Sequence, residues 1–250
     1  MKSFDDELHS MVLSEDGSYT AYSKEYEEHY HSTRDGALNE SLVKHVIPAL
    51  GIKSGQDEVH ILDICFGLGF NTLATLYYVK QNNINSRIHI YSPELDASLI
   101  RSLKNFTYPK EFDEFRHIIL ELAETGYYDD GLWHVEVFIG DAREYIKKFE
   151  NSFDIVYQDA FSPRTNPILW TKEYFSDIAH LIKKDAILTT YSVALPTRLA
   201  LYENGFHVYT YHTKGARKST IASLTELEGF EKVDIKHKIS CNPHAEPLRD

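Results

Sequence analysis

The stretch Val59-His-Ile-Leu-Asp-Ile-Cys-Phe-Gly-Leu-Gly-Phe-Asn71 constrains the fold more than any other part of the chain. In it an apolar run ends in an acid and passes at once into a loop with two glycines. It predicts a strand, a tight turn and the start of a helix. Glycine lacks a Cβ, so at Gly67 and Gly69 the backbone can turn sharply and let a bound molecule lie against it, beside the free N–H groups that open the helix. This reads as a nucleotide-type cofactor loop. Buried strands also end in glycine turns for packing alone, so the weight falls on the acids that follow.

Three further apolar runs repeat the pattern. Arg87-Ile-His-Ile-Tyr91 leads through Ser92 and Pro93 to Glu94, with Asp96 behind it. An acid just past the second strand of a doubly wound sheet, about 20 residues beyond the glycines, can accept hydrogen bonds from both ribose hydroxyls of a nucleoside cofactor. Glu94 takes that role because it comes first after the strand. His134-Val-Glu-Val-Phe-Ile139 is followed by Gly140-Asp141-Ala142-Arg143, where Asp141 either caps the next helix or accepts a bond from the exocyclic amine of an adenine. Phe153-Asp-Ile-Val-Tyr-Gln158 delivers Asp159-Ala-Phe-Ser-Pro163. Open α/β sheets bind ligands along the carboxyl edge of their strands, where all four of these turns would fall. Position 72 is Thr, without the third glycine usual in NAD dehydrogenases, and no Gly-Lys-Ser/Thr of a P-loop follows the turn. The pattern resembles instead the Rossmann-like, class I S-adenosylmethionine-dependent methyltransferases. That resemblance implies an α/β fold with a mostly parallel seven-stranded sheet, an antiparallel last strand and an N-terminal lid.

Three segments carry a narrower resemblance. Asp159-Ala-Phe-Ser-Pro-Arg-Thr-Asn-Pro-Ile-Leu-Trp170 is similar to the Asp-Ala-Phe-x-Pro-x-x-Asn-Pro-x-x-Trp block in the methyltransferase part of the tRNA 5-methylaminomethyl-2-thiouridine biosynthesis protein MnmC. Glu28-His-Tyr-His-Ser-Thr-Arg-Asp-Gly-Ala-Leu-Asn-Glu-Ser41 resembles that family's Tyr-x-Ser-x-x-Gly-Ala-x-x-Glu segment, and Lys214-Gly-Ala-Arg-Lys-Ser219 its Gly-x-x-Arg-Lys-Arg turn. The likeness covers roughly residues 20 to 225. Gly67, Gly69 and Asn71 match the family's cofactor loop, whereas Cys65 stands where glycine is more usual and Ser219 where a third basic residue is common.

The resemblance implies transfer of a methyl group from S-adenosyl-L-methionine to the primary amine of 5-aminomethyl(-2-thio)uridine at the tRNA wobble position 34, giving 5-methylaminomethyl(-2-thio)uridine. The cofactor residues it implies are Asp63, Phe66, Gly67, Gly69, Asn71, Glu94, Asp141, Ala142 and Asp159. Asp159, close to where the methyl would project, is the candidate catalytic residue, accepting a proton or holding the amine. Tyr30, Phe161 and Pro163 would shape the acceptor pocket, and Arg217 and Lys218 would meet the substrate. The expected partners are a tRNA anticodon stem-loop and a separate oxidase or wobble-uridine modification enzyme, because the flavin-dependent oxidase domain of many family members finds no room before Asp250. Competing readings are a small-molecule amine N-methyltransferase, an aminopropyltransferase of the spermidine synthase type, against which the Asn-Pro-x-x-Trp block speaks, and a noncatalytic cofactor-binding module.

Charge enters here as a difficulty. The formal net charge is −12, whereas phosphate contacts need clustered Lys or Arg. Arg198, Lys214, Arg217 and Lys218 nevertheless lie together in the C-terminal third, so a basic rim on an acidic body would still steer an RNA stem. The two cysteines, Cys65 and Cys241, indicate neither a disulfide framework nor a zinc site. The thirteen histidines hold only two close pairs, His29 with His31 and His207 with His212, and read as scattered surface imidazoles with no metal. An acidic N-terminus and short apolar runs show neither a signal peptide nor a membrane span, and predict a cytoplasmic protein.

The length suits one methyltransferase domain over residues 1–250: an N-terminal extension and lid over 1–50, a Rossmann-like core over 51–225 and a tail over 226–250. Residues 1–20 are polar and expected to be poorly ordered. Leu42, Val43, Val46, Ile47 and Leu50 predict a helix over 38–50 that ends before Gly51 and, with the Tyr-rich segment before it, covers the cofactor end. A helical insertion spans 97–131, with Phe112, Phe115, Ile118, Ile119 and Leu122 on its apolar side. A fifth strand is expected over 186–191, a helix over 195–204, and a closing antiparallel pair over 206–211 and 220–224.

Overall fold

The computed structural model describes residue 4 and residues 7–53, 55–213 and 216–250. Its strands are β1 (His9–Leu13), β2 (Tyr19–Ser23), β3 (Glu28–His29), β4 (Glu58–Ile64), β5 (Arg87–Glu94), β6 (Tyr127–Asp129), β7 (Trp133–Ile139), β8 (Phe153–Gln158), β9 (Ile182–Thr190), β10 (His207–Tyr211), β11 (Ser219–Ser223) and β12 (Glu231–Lys232). Its helices are α1 (Ala37–Ser41), α2 (Ile47–Lys53), α3 (Phe70–Gln81), α4 (Ala97–Ser102), α5 (Arg116–Thr125), α6 (Ala142–Ile146), α7 (Lys172–Leu181), α8 (Leu195–Glu203) and α9 (Ile235–Cys241).

The main sheet has the order β12-β10-β11-β9-β8-β4-β5-β7-β6. β4 pairs in parallel with both β5 and β8, and the chain winds outward from it on either side, to β7 and to β9. The carboxyl end of β4 is therefore the switch point of the sheet, where a crevice opens between the loops that leave in opposite directions. Successive side chains of a strand face opposite sides, so Ile61 joins the core under α3 and α5 while Leu62 and Ile64 join the core under α6, α7 and α8. β11 runs antiparallel to both β9 and β10.

The expected seven strands are present, but the sheet has nine, because short strands β6 and β12 extend its two edges. β6 exists because α5 stops at Gly126, which takes the left-handed conformation (φ +74°), and because Asp130 accepts from Leu132 N and Trp133 N to turn the chain into β7. Residues 9–20 correct the expectation of disorder. There β1 pairs with β2 about a turn in which the Asp16 carboxylate accepts from Ser18 N (2.9 Å) and Ser18 Oγ (2.6 Å). The helix expected over 38–50 spans α1, a π-helical stretch Leu42–Val46 and α2, and runs through Gly51 to Lys53. The tail is tied down: Lys172 N donates to Leu248 O (2.8 Å), and the Arg143 guanidinium grips the Asp250 carboxylate through two bonds of 2.7 Å. Lys214, one member of the expected basic rim, lies outside the described residues.

Gly69 fixes the turn into α3. Its φ is +75°, and a Cβ there would lie 2.9 Å from the Phe66 ring and 3.2 Å from Ile119. Gly69→Ala combines left-handed strain with overpacking, and a loss of about 1–3 kcal/mol of unfolding free energy is expected in urea titrations.

Candidate active site

A cleft of about 940 Å³ opens at the switch point. Its walls come from the loops after β4, β5, β7 and β8, together with the segment around β3. The loop after β4 starts with strain: Cys65 holds φ +67°, a conformation that costs an L-residue about 1–2 kcal/mol and that glycine adopts freely. Phe66 N then donates to Pro93 O (3.1 Å), which ties this loop to the end of β5. Glu94 completes the tie. Its Oε2 accepts from Gly67 N (2.9 Å) and its Oε1 from Asp96 N (2.9 Å), so each oxygen keeps lone-pair capacity toward the cleft. Burial pushes the Glu94 carboxyl above its usual range, although these backbone donors oppose it. Asp96 also lines the cleft, and its Oδ1 caps α4, accepting from Ser98 N (2.7 Å) and Leu99 N (3.0 Å).

Asp159 forms the floor. Asn71, on the first turn of α3, donates through Nδ2 to Asp159 Oδ2 (2.8 Å) and to Asp63 Oδ1 (3.2 Å). The fully buried His45 ring places Nε2 3.4 Å from Asp159 Oδ1, while its Nδ1 meets Thr189 Oγ1 at 3.0 Å. The two acids diverge in consequence. Burial raises the Asp63 carboxyl well above the ordinary range, and the Asp159 charge pushes it the same way. Burial acts on Asp159 too, but His45, His31 and the Asn71 amide outweigh it and hold that carboxyl below its usual range. The Asp159 carboxyl is thus biased toward its ionised form on the floor of the cleft. Behind it a polar cluster closes the side: Lys44, 3 % exposed, bridges Glu40 and Asp35, and Glu40 accepts from Ser32 N (2.6 Å).

The opposite wall is aromatic. Tyr26 stacks on Phe161 with centroids 4.9 Å apart, and Tyr30 tilts against the same ring at 5.0 Å. The backbone holds Phe161 in place through Trp170 Nε1, which donates to Phe161 O (2.8 Å), and Ser162, whose N and Oγ donate to the Glu28 carboxylate.

Among the residues singled out from sequence, Tyr30, Phe66, Gly67, Asn71, Glu94, Asp141, Ala142, Asp159, Phe161, Arg217 and Lys218 all line the cleft. Asp63, Gly69 and Pro163 do not. Asp63, 1 % exposed, sits behind Asn71 and Thr72, Gly69 turns away to cap α3, and Pro163 lies in the loop beyond the Phe161 anchor. Asp141 caps α6 with Oδ1, accepting from Arg143 N (2.7 Å). Arg217 is committed to the protein, donating to Asp35 Oδ2 (2.8 Å) and Ser32 Oγ (2.7 Å). The helix expected to cover the cleft packs against α3 and β9 and lends only Glu40 and Lys44 to the wall.

The family model described as S-adenosyl-L-methionine-dependent methyltransferase matches residues 111–226. The crystal structure of MNMC2 from Aquifex aeolicus superposes with a TM-score of 0.86 at 34 % identity, over 99 % of this chain and 81 % of that one. This chain belongs to the MnmC-type family of S-adenosyl-L-methionine-dependent methyltransferases. An uncharacterized protein of Methanocaldococcus jannaschii is 30 % identical over 85 % of the chain. The tRNA 5-methylaminomethyl-2-thiouridine biosynthesis bifunctional protein MnmC of Azoarcus sp. is 32 % identical over 80 % of it. The chain spans 58 % of the length of the first of these relatives and 33 % of the second.

As in the family, the cofactor is S-adenosyl-L-methionine, and the cleft suits it. Asn71 Oδ1 is buried in the wall with no hydrogen-bond partner among the described residues, an acceptor that the ammonium of an amino-acid moiety would satisfy. A Cβ on Gly67 (φ +54°) would come within 3.2 Å of the Tyr30 ring, so the bare backbone leaves that passage open. Tyr26, His45, His31, Glu40 and Lys44 are residues that sequence reasoning missed.

Proposed function

We propose that the chain methylates the primary amine of 5-aminomethyl(-2-thio)uridine at wobble position 34 of tRNA, producing 5-methylaminomethyl(-2-thio)uridine. The observation that carries this reading is the Asp159 carboxylate, held by Asn71 and His45 on the floor of the cleft, facing a wall of Tyr26, Tyr30 and Phe161. A buried anion selects an amine, and aromatic faces suit an unstacked base that carries one. The name of the Azoarcus relative supports the same acceptor.

When bound, S-adenosyl-L-methionine supplies a methyl group on sulfonium, a leaving group that needs no acid. Glu94 would accept from both ribose hydroxyls, the free oxygen of Asp141 from the adenine amine, and Asn71 Oδ1 from the ammonium. Ala142 and the Phe66–Gly67 backbone would flank the nucleoside. The cleft would hold the amine nitrogen in line with the methyl group, and after transfer, with the carbon–sulfur bond broken, that nitrogen would have a proton to shed. An alkylammonium loses that proton near about pH 10, far above a carboxyl whose pKa is depressed. Asp159 therefore orients the neutral amine by accepting a hydrogen bond, and water takes the proton. Alignment of nitrogen, methyl and sulfur supplies the acceleration.

The deciding assay is transfer of labelled methyl to tRNA that lacks only the terminal methyl on its wobble uridine, with nucleoside analysis. Label in the methylaminomethyl nucleoside is the expected result. Clear cofactor binding without label would move the acceptor to small amines, the reading that the net charge of −12 and the commitment of Arg217 to Asp35 favour. A separate oxidase or another wobble-uridine enzyme would furnish the aminomethyl group, in the cytoplasm. Lys218 on the rim is the expected phosphate contact: Lys218→Ala should lower the slope of log affinity against log salt by about 0.7–0.9, whereas an unchanged slope removes it from the interface.

A further inference from the structure

Toward the amino ends of the strands, away from the cleft, three histidines stand in a row across the sheet. His60 on β4 is the Cα partner of His89 on β5, and His89 that of His134 on β7, so all three leave the same face. The His60 and His89 rings stack with centroids 4.3 Å apart and planes within 6°, and His134 lies 5.5 Å beyond. Glu58 precedes His60 by two residues in β4 and shares its face. Its Oε2 is 3.8 Å from His60 Nε2 and 3.8 Å from His89 Nε2, and the three atoms lie within 4.8 Å of one another.

Packing does not account for this arrangement. His89 is 8 % exposed, and its Nε2 is buried with no hydrogen bond among the described residues, a condition that costs about 1–3 kcal/mol unless something binds there. Burial holds both His60 and His89 below the ordinary histidine range, in the neutral form that offers a lone pair. His134 repeats the pattern, with Nδ1 at 3.2 Å from Asp129 Oδ2 and Nε2 buried and unbonded. The nearby cations are already neutralised, Arg87 by Asp129 (3.3 Å) and Lys183 by Asp154 (2.8 Å).

We propose that Glu58, His60 and His89 bind one zinc-type divalent transition-metal ion that ties β4 to β5 at the end of the sheet remote from the cleft. Two imidazole nitrogens and one carboxylate oxygen, with water in the fourth place, suit such an ion, whereas magnesium and calcium take oxygen ligands. Bonds of about 2.0–2.1 Å at tetrahedral angles set donors about 3.4 Å apart, so the two 3.8 Å contacts of Glu58 close by a few tenths of an ångström, and an imidazole binds in its ring plane, so the nearly parallel His60 and His89 rings turn out of their stack to aim both lone pairs at one ion. The Glu58 side chain, 55 % exposed, is free to make that adjustment. The carboxylate adds charge and the two imidazoles add nitrogen donors, so the site does not depend on the methyl-transfer chemistry at the other edge.

The test uses the untagged full chain carrying Cys241→Ser, which removes the His237–Cys241 pair on α9 (3.6 Å) as a competing thiol site. After chelator treatment it is titrated with Zn²⁺ by calorimetry, and with Co²⁺ while the visible bands that report tetrahedral coordination are followed. One equivalent of Zn²⁺, tetrahedral Co²⁺ bands, and a rise in Tm with Zn²⁺ but not with Mg²⁺ are expected. Glu58→Gln and His60→Gln, both at partly exposed positions, should each weaken Zn²⁺ binding at least about tenfold while the Tm of the metal-free protein changes little. Absence of stoichiometric binding, or binding that survives unchanged in the Glu58→Gln/His60→Gln double variant, would overturn the proposal.

Discussion

Asp159→Asn is expected to lower turnover by about 10²–10³-fold while cofactor affinity stays within several-fold. The substitution preserves size and removes the charge. In the native cleft that charge is held by the Asn71 amide at 2.8 Å and by the His45 ring at 3.4 Å, both in place before any amine arrives. An asparagine would present an N–H to one of these donors or to the incoming amine, and the reacting nitrogen would lose its acceptor. Asp159→Glu, which keeps the charge but moves it by one methylene, should fall between the two. Stopped assays with labelled cofactor measure the rate and calorimetry the binding; full activity in Asp159→Asn would refute the assignment. The pH profile follows from the direction of the shift. A carboxyl held below its usual range is already ionised throughout the mildly acidic region, so it sets no inflection there. The rate should instead climb with pH as the amine loses its proton, with log kcat/KM rising about one unit per pH unit, and an inflection in the ordinary carboxylate range would count against this division of roles.

Much of this site was legible because its residues obey local rules. A strand end, a glycine turn and the first acid beyond it are neighbours in sequence, and a parallel sheet brings all such ends to one edge without further information. Gly67, Glu94 and Asp159 were readable in that way. His45 was not: its partner Thr189 is 144 residues distant, and on a helix whose apolar face is plain, an intervening histidine or lysine looks like the solvated side. Lys44 and Glu40 were hidden for the same reason, since only the packed structure shows that this side of the helix meets the cleft. The row of His60, His89 and His134 was hidden by register. Spacing within the sequence says nothing about which residues of different strands stand opposite one another, and sorting histidines by close pairs therefore passed over a cluster that the sheet assembles. Asp141 shows a different limit: its Oδ1 caps α6 while the residue also lines the cleft, so capping and a cofactor contact do not exclude one another at a strand-end acid.

Glu94→Ala is expected to weaken cofactor binding on the order of 10²-fold or more, because two hydrogen bonds to a charged acceptor contribute about 1.5–3 kcal/mol each. The loss has a second source in the loop itself. Without the carboxylate, Gly67 N and Asp96 N lose the acceptor that joins the glycine turn after β4 to the end of β5, so the surface that meets the nucleoside is less well fixed. Glu94→Gln separates the two effects, since the amide oxygen still accepts one of these bonds, and its affinity should lie between those of wild type and alanine. Asp96→Ala serves as the contrast. It removes the α4 cap, in which Asp96 Oδ1 accepts from Ser98 N and Leu99 N, at a cost of about 1 kcal/mol in stability, and should lower affinity far less than Glu94→Ala does because the Asp96 side chain does not hold the glycine turn. Acid should act on wild type in the direction of the alanine variant. Burial raises the Glu94 carboxyl, so it takes up its proton at a higher pH than an exposed glutamate does, and a protonated acid offers fewer acceptors to the ribose. Cofactor affinity is therefore expected to fall as the pH drops through that raised value, and to become flat with pH in Glu94→Ala. Calorimetry that found equal affinities for wild type and Glu94→Ala would move the ribose contact to another residue.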